Sequence, residues 1–287
     1  MTPDFYICGA PRAGTTSLHE YLSSHPSVVM TEPKETFFFQ RYQDGQTFED
    51  ALEETHLSHC QGEEVIGEGT TKTMYRSSAL KMIEAVTPDP KFICLLRNPI
   101  ERAWSHYLYR VQHQQRRPTE TFSEVIRNEQ CDENKALGVG IVELGMYWRY
   151  ITRLASQFPS ERIHVILHSE LFERPKSRMK EIFEFLGVDS SLGYEAGGVH
   201  NASSYPTHPR LYRFLYSVWR PVKTRIPEAW REAIQEPVGH LRNQFLKAEG
   251  EEKPEMNSAD REYLRELYDE PNAQLEEWLG RDLSHWT

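Results

Sequence analysis

Phe5-Tyr6-Ile7-Cys8-Gly9-Ala10-Pro11-Arg12-Ala13-Gly14-Thr15-Thr16-Ser17 decides how the rest of this chain is read. The apolar run at its start predicts a short buried strand. Gly9 to Gly14 bound a loop, and Thr15–Ser24 has the pattern of a helix that stops before Pro26. Strand, glycine-bounded loop and helix, in that order, place successive backbone N–H groups and a helix N-terminus around an anionic phosphate. Gly9 and Gly14 keep the spacing of the nucleotide-hydrolase signature G-x-x-x-x-G-K-[ST], and Thr16 fits its last position. Thr15 stands where that signature has the lysine that reaches the outer phosphates, and a different cation, Arg12, lies inside the loop. The expected ligand is a phosphate-bearing nucleotide other than ATP or GTP.

Working outward, four more short apolar runs read as strands: Val28–Met30, Val65–Glu68, Phe92–Leu96 and Ile163–Leu167. Each is apolar on both faces, as in a parallel sheet covered on both sides. Helical patterns separate them at Ser77–Ala85, Pro99–Gln115, Met146–Gln157 and Lys176–Leu186, the last ending at Gly187. This alternation predicts an α/β fold, a P-loop-type doubly wound parallel sheet of about five strands flanked by helices. After Gly198 no strand is evident. Pro209–Trp219, Glu228–Ala248, Ala259–Tyr268 and Asn272–Leu279 read as helices. We expect one domain over 1–287: an α/β core at about 1–195, and a helical C-terminal extension at about 196–287 packed on the same sheet.

The 287 residues carry a formal net charge of −10, which argues against a general nucleic-acid binder. No run has the length of a membrane-spanning helix, and a first strand at about Asp4 leaves no room for a signal peptide, so the expected location is cytoplasmic. The four cysteines, Cys8, Cys60, Cys94 and Cys131, form no C-x-x-C pair and are read as reduced and structural. His56-x-x-His59-Cys60 has a faint metal-site look, but no second ligand cluster accompanies it, and polar residues facing solvent are the preferred reading.

A second motif narrows the function: Leu95-Leu96-Arg97-Asn98-Pro99-Ile100-Glu101-Arg102-Ala103-Trp104-Ser105-His106-Tyr107. Arg97 falls at the carboxyl end of a predicted central strand, where open α/β sheets bind ligands. Ser105 follows about two helical turns on. A guanidinium fork with a hydroxyl donor suits a phosphate monoester. A structural pairing of Arg97 with Glu101 is the plainer alternative, and it loses weight beside the N-terminal loop.

Taken together, the two motifs resemble the PAPS-dependent sulfotransferase family, PAPS being 3′-phosphoadenosine 5′-phosphosulfate. Ala10-Pro-Arg-Ala-Gly-Thr-Thr-Ser17 is similar to its 5′-phosphosulfate loop, and Arg97…Ser105 to its 3′-phosphate motif. Gly145-Met-Tyr147, Ile163–Leu167 with Glu170-Leu171, and Phe185-Leu-Gly187 occur in similar order. The tail Tyr268…Asn272…Leu279-Gly-Arg-Asp-Leu283…Trp286 is similar to the carbohydrate (heparan sulfate) branch. The likeness is weakest over 196–255.

The resemblance implies a site. Arg12, Ala13, Gly14, Thr15, Thr16 and Ser17 would hold the 5′-phosphosulfate, and Arg97 and Ser105 the 3′-phosphate. The family often has lysine where Arg12 stands. Arginine keeps the charge without acting as a proton donor, so its implied role is electrostatic stabilisation of the leaving oxygen. Glu35, in Pro33-Lys34-Glu35-Thr36-Phe37-Phe38-Phe39, matches the branch's general base, with Lys34 beside it to steady developing charge. Lys34 and Glu68 are candidate acceptor-side residues. The heparan 3-O-sulfotransferases have lysine just after a strand-end glutamate, whereas here Glu68 is followed by Gly69, with Lys72 further on. His106 is a rival base, although it lies in the 3′-phosphate segment. PAPS is the implied co-substrate and PAP the product, with no metal.

The acceptor stays open between a glycan, a glycolipid or lipid-linked molecule, a polyketide and another small alcohol or amine. Residues 196–227 contain no acid, yet hold Arg210, Arg213, Arg220, Lys223 and Arg225 interleaved with Tyr212, Phe214, Tyr216 and Trp219. Segment 208–226 is therefore a candidate for peripheral contact with an anionic membrane or glycan, weighed against an ordinary amphipathic helix. Val199–Tyr205 is expected to close over the nucleotide, as a loop there does in the family. Two other classes fit part of the pattern: a P-loop kinase or NTPase, which the missing lysine at Thr15 opposes, and a non-catalytic nucleotide-binding module, which Glu35 opposes.

Overall fold

A computed structural model of the chain describes residues 2–41, 57, 65–112, 120–129, 140–192 and 254–286. Five parallel strands, β1 (Phe5–Gly9), β2 (Val28–Met30), β3 (Val65–Glu68), β4 (Lys91–Leu96) and β5 (Ile163–Leu167), lie in the order β2-β3-β1-β4-β5. All five fall within one residue of their sequence-based positions. The burial explains why they were legible: every residue of β1, and all of β4 after Lys91, is buried. Such strands must be apolar throughout, and the hydrophobic pattern records it.

The topology places the ligand crevice. From β1 the chain runs to the edge strand β2, returns through β3, and then crosses β1 to reach β4. The winding thus reverses about β1, so the carboxyl ends of β1, β3 and β4 border a crevice that connecting helices do not fill. Phe5 pairs with Gly67 on one side and Lys91 on the other. Between β1 and β4 the register shifts from Ile7↔Ile93 to Gly9↔Cys94, leaving Cys8 as the extra residue of a bulge. The free, buried thiols of Cys8 and Cys94 lie 3.1 Å apart. Cys60, Cys131 and the His56/His59 segment lie outside the described residues.

Helices Thr15–Ser23, Ser77–Val86, Tyr147–Gln157 and Pro175–Leu186 match their expected spans within one residue at each end. Gly187 closes the last of them at φ +84°, a conformation glycine adopts freely. The helix from Pro99 is described to Gln112, and Asn98 caps it by accepting from the amides of Ile100 and Glu101 at 2.9 and 3.3 Å.

The C-terminal expectation needs correction. Ala259–Tyr268 and Asn272–Leu279 form one helix, Ser258–Leu279, which runs through Pro271. An interior proline costs about 3 kcal/mol. Leu264 and Tyr268 before it and Leu275 after it are fully buried, at about 1.5–3 kcal/mol each, so packing on both flanks outweighs the break. Leu275 of this helix joins the core cluster that the strands build. The helix packs against helices Tyr147–Gln157 and Pro99–Gln112. Tyr268 donates to the carbonyl of Val142 at 2.8 Å, and beyond the helix Arg281 donates to Val165 of β5 at 2.8 Å. The expected helices Pro209–Trp219 and Glu228–Ala248, the loop Val199–Tyr205 and the basic segment 208–226 lie outside the described residues. None of the described helices is long and apolar enough to cross a membrane.

Candidate active site

The loop after β1 is held by the sheet on one side and by the helix it opens on the other. Ala10 donates to Leu95 of β4 at 2.7 Å, which carries the β1–β4 pairing into the loop, and Ala13 donates back to Ala10 at 3.1 Å. Gly14 stands at the helix N-cap with φ +95°, and a Cβ there would lie 2.7 Å from the Phe172 ring. Both the backbone and the close approach therefore call for glycine. Among the described residues no side chain caps this helix, and its first turn holds no acid. The amides at its start lack intrahelical acceptors and lie at the positive end of the dipole. Such an uncapped terminus, with Ala13, Thr15 and Ser17 buried beside it and Thr16 partly exposed, fits an anionic group.

The second motif meets the first. Arg12 Nε donates to Ser105 Oγ at 3.5 Å, and Arg97 Nη1 donates to the backbone carbonyl of Arg12 at 3.4 Å. Arg12 has φ +69°, uncommon outside glycine. Its guanidinium lies over the Tyr109 ring, 4.5 Å from the centroid. Tyr147 Oη donates to the backbone carbonyl of Arg97 at 2.8 Å, and burial pushes this phenol up to about 12. Arg12, Arg97 and Ser105, three of the side chains expected to face a phosphate, are thus brought together.

Glu35 and Lys34 join this cluster from the segment after β2. Lys34 Nζ reaches Thr15 Oγ1 at 3.4 Å and Glu35 Oε1 at 3.1 Å, tying the start of the first helix to the carboxylate. The carboxylate also accepts from Thr71 N at 3.2 Å and Thr71 Oγ1 at 3.0 Å, and the side chain keeps 33% exposure. It is therefore held in place while still open to an incoming group.

Glu68 does not face the acceptor side, contrary to expectation. It is 0% exposed, and its carboxylate accepts from Thr36 Oγ1 at 2.7 Å, from Thr70 N at 3.0 Å and from Thr70 Oγ1. As the last residue of β3 beside β1 it points into the core, where burial pushes its carboxyl upward against these hydrogen bonds.

His106 is buried between two guanidinium groups: Arg110 Nε approaches Nε2 at 3.1 Å and Arg102 Nη1 approaches Nδ1 at 3.3 Å. Burial and the charges of Arg102, Arg110, Lys72 and Arg12 hold it well below the usual histidine range. A neutral imidazole has one acceptor nitrogen, so only one of those contacts is a hydrogen bond at a time. Lys72 lies near Glu35, Arg76 and Arg110, and burial pushes its ammonium downward. Among the described residues no group of three or more His, Cys, Asp or Glu gathers as a metal site.

Sequence reasoning missed Thr71, Thr70, Tyr109 and Tyr147 as parts of the site. Tyr109 was findable, since it lies one helical turn beyond Ser105 and so shares its face. Thr70 and Thr71 follow the carboxyl end of β3, a place that ligand-site topology marks, but threonine carries no chemical signature of its own.

A parallel sheet with an anion-fitting loop after β1 and cationic side chains beside it defines an α/β protein of the P-loop-like fold. Residues 2–204 match the sulfotransferase domain family, and the chain belongs to that family. Human bifunctional heparan sulfate N-deacetylase/N-sulfotransferase 3 is 24% identical over 99% of this chain and 31% of its own length. Mouse carbohydrate sulfotransferase 15 is 24% identical over 65% of this chain and 44% of its own. The chain thus spans about a third to under a half of these relatives. Among solved structures, a sulfotransferase from Alicyclobacillus acidocaldarius aligns with TM-score 0.69 at 23% identity, covering 100% of this chain and 99% of that one. Mouse sulfotransferase SULT7A1 complexed with PAP aligns with TM-score 0.51 at 14% identity, covering 97% and 89%. These likenesses show the shared fold. Family membership leaves the kinase alternative without support.

Proposed function

We propose that this protein transfers a sulfuryl group from PAPS to a hydroxyl or amine of a glycan, lipid-linked or other small acceptor. The observation that carries the reading is the meeting of Arg12, Ser105 and Arg97 at one point. Two anion-recognising segments, distant in the chain, converge where a nucleotide with phosphates at both ends would need them. Kinship with a family whose solved members include one complexed with PAP supports the choice of nucleotide. Named relatives that act on heparan sulfate and carbohydrate support a glycan acceptor.

In this reading the amides at the start of the first helix, with Arg12, Thr15, Thr16 and Ser17, bind the 5′-phosphosulfate, and Ala13 and Gly14 let the backbone approach it. Arg97 and Ser105 bind the 3′-phosphate and so select PAPS over ordinary adenylates. Glu35 takes the proton from the attacking hydroxyl or amine. Lys34, placed between Thr15 and Glu35, steadies charge as the S–O bond to the nucleotide breaks, and Arg12 stabilises the leaving phosphate oxygen. Positioning and charge stabilisation supply most of the rate, as in phosphoryl transfer.

Calorimetry with PAP and with 5′-AMP tests the nucleotide assignment. PAP should bind at least about a hundredfold tighter, since the Arg97 contact is lost with 5′-AMP; equal affinities would remove the 3′-phosphate site. Radiolabelled PAPS offered with N-desulfated heparan oligosaccharides, desulfated chondroitin and small alcohols tests transfer and ranks acceptor classes.

A further inference from the structure

Glu68 is a fully buried carboxylate with no place in the reaction just described, yet its hydrogen bonds end beside that reaction. Thr36 follows Glu35, and Thr70 precedes Thr71. Thr36 Oγ1 donates to Glu68 Oε1 at 2.7 Å, and Thr70 donates to both carboxylate oxygens, through its amide to Oε2 at 3.0 Å and through its hydroxyl to Oε1. The same two hydroxyls accept from the backbone: Phe37 N donates to Thr70 Oγ1 at 3.1 Å, and Phe38 N donates to Thr36 Oγ1 at 3.2 Å. One carboxylate therefore holds both Thr36, next to Glu35, and Thr70, next to the Thr71 that holds Glu35. On the outer side of this knot, Thr71 N and Oγ1 donate to the Glu35 carboxylate at 3.2 and 3.0 Å.

We infer that Glu68 is a positioning residue: it clamps Thr36 to Thr70 and so holds Glu35 against Thr71, an assignment that rests on Glu35 being the general base. The chemistry of the donors explains why a carboxylate stands here. Three donors, one of them a backbone amide with a fixed hydrogen, converge on Glu68. A carboxylate accepts all three, whereas a glutamine must turn its NH₂ toward either the Thr70 amide or the two hydroxyls. The amide orientation repels, and the hydroxyl orientation turns both hydroxyls around. Polar groups buried this deeply do not tolerate a missing partner cheaply. Glu35, by contrast, belongs to a loop segment that includes no strand or long helix, so its geometry depends on side-chain hydrogen bonds.

The test compares Glu68→Gln, Thr36→Val and Thr36→Ser with the wild type. Thr36→Val keeps the shape and removes the hydroxyl, and it serves if Glu68→Gln fails to fold. Crystal structures of the variants with PAP are expected to show Glu35 withdrawn from Thr71 in Glu68→Gln and Thr36→Val but seated on it in Thr36→Ser. On the acceptor that the wild type labels, kcat should fall about tenfold or more in the first two, as small misplacements do, while PAP affinity stays within about twofold. Thr36→Ser should restore most of the rate. A cycle with Glu35→Gln separates this inference from the reading beneath it. Glu68→Gln should slow the wild type but add nothing to Glu35→Gln. Glu35 still seated on Thr71 in both Glu68→Gln and Thr36→Val, or full rate in both, would overturn the positioning role and leave the base intact. Wild-type rate in Glu35→Gln would overturn the base itself.

Discussion

Arg12 and Ser105 stand 93 residues apart in the chain and meet at 3.5 Å, Nε to Oγ. Arg12 leaves a loop after β1, and Ser105 leaves a helix after β4. Those strands are neighbours, so their following segments emerge side by side. With Arg97 on the Arg12 carbonyl, the contact couples the two ends of the proposed nucleotide site. A change at one end should be felt at the other.

Arg97→Ala should weaken PAP binding by about 2–5 kcal/mol, as the loss of a close charge pair does. Arg97→Lys should recover only part, because an ammonium lacks the two-pronged geometry. Titration calorimetry measures both, and unchanged affinity in the alanine variant would move the 3′-phosphate elsewhere.

Arg12→Ala should lower kcat by about 10²–10³-fold, the cost of removing one donor to a developing anion. It should also weaken PAP, since Arg12 touches Ser105. Arg12→Lys keeps the charge and should retain most of the rate. Steady-state kinetics on the three proteins checks the ranking.

Glu35→Gln should reduce turnover by about 10²–10⁴-fold and leave PAP affinity within about twofold, because a general base acts on the acceptor. The split between transfer rate and PAP calorimetry is the readout.

Gly14→Ala should destabilise the protein by about 1–3 kcal/mol and abolish tight nucleotide binding. Its φ is +95°, and the added methyl would press on Phe172. Phe172→Ala should relieve the crowding without relieving the backbone, so the double variant recovers part of the stability in thermal melts.

Stability should fall in mild acid. Burial pushes His19 and His168 down to about 4, aided by Lys34 and Arg97 respectively, and holds His106 well below its ordinary value. Below pH 6.5 the unfolded chain protonates these groups while the folded one does not. The unfolded state then binds more protons, so their stabilisation is complete above about pH 6.5 and is lost progressively toward pH 4. For His19 and His168 the loss is on the order of 1–3 kcal/mol each. Melting temperatures at pH 7.5 and 5 should differ accordingly, and a His19→Asn/His168→Asn double variant should flatten the difference.

The strands and core helices were readable from the sequence because a sheet covered on both faces demands short, largely apolar runs, and local capping and glycine signals bound the helices between them. The loop after β1 and the Arg97–Ser105 segment stood out because each is local, with its spacing lying within about a dozen residues. What the chain could not display is who faces whom across the sheet. Glu35 and Glu68 look alike as letters, yet one keeps a third of its surface in the crevice and the other is sealed under Thr36 and Thr70. Pro271 reads as a break until burial on both flanks carries the helix through it. Local pattern decides elements because backbone sterics and periodicity act over a few residues. Burial and long-range hydrogen bonding decide roles, and these arise only when the strands pair.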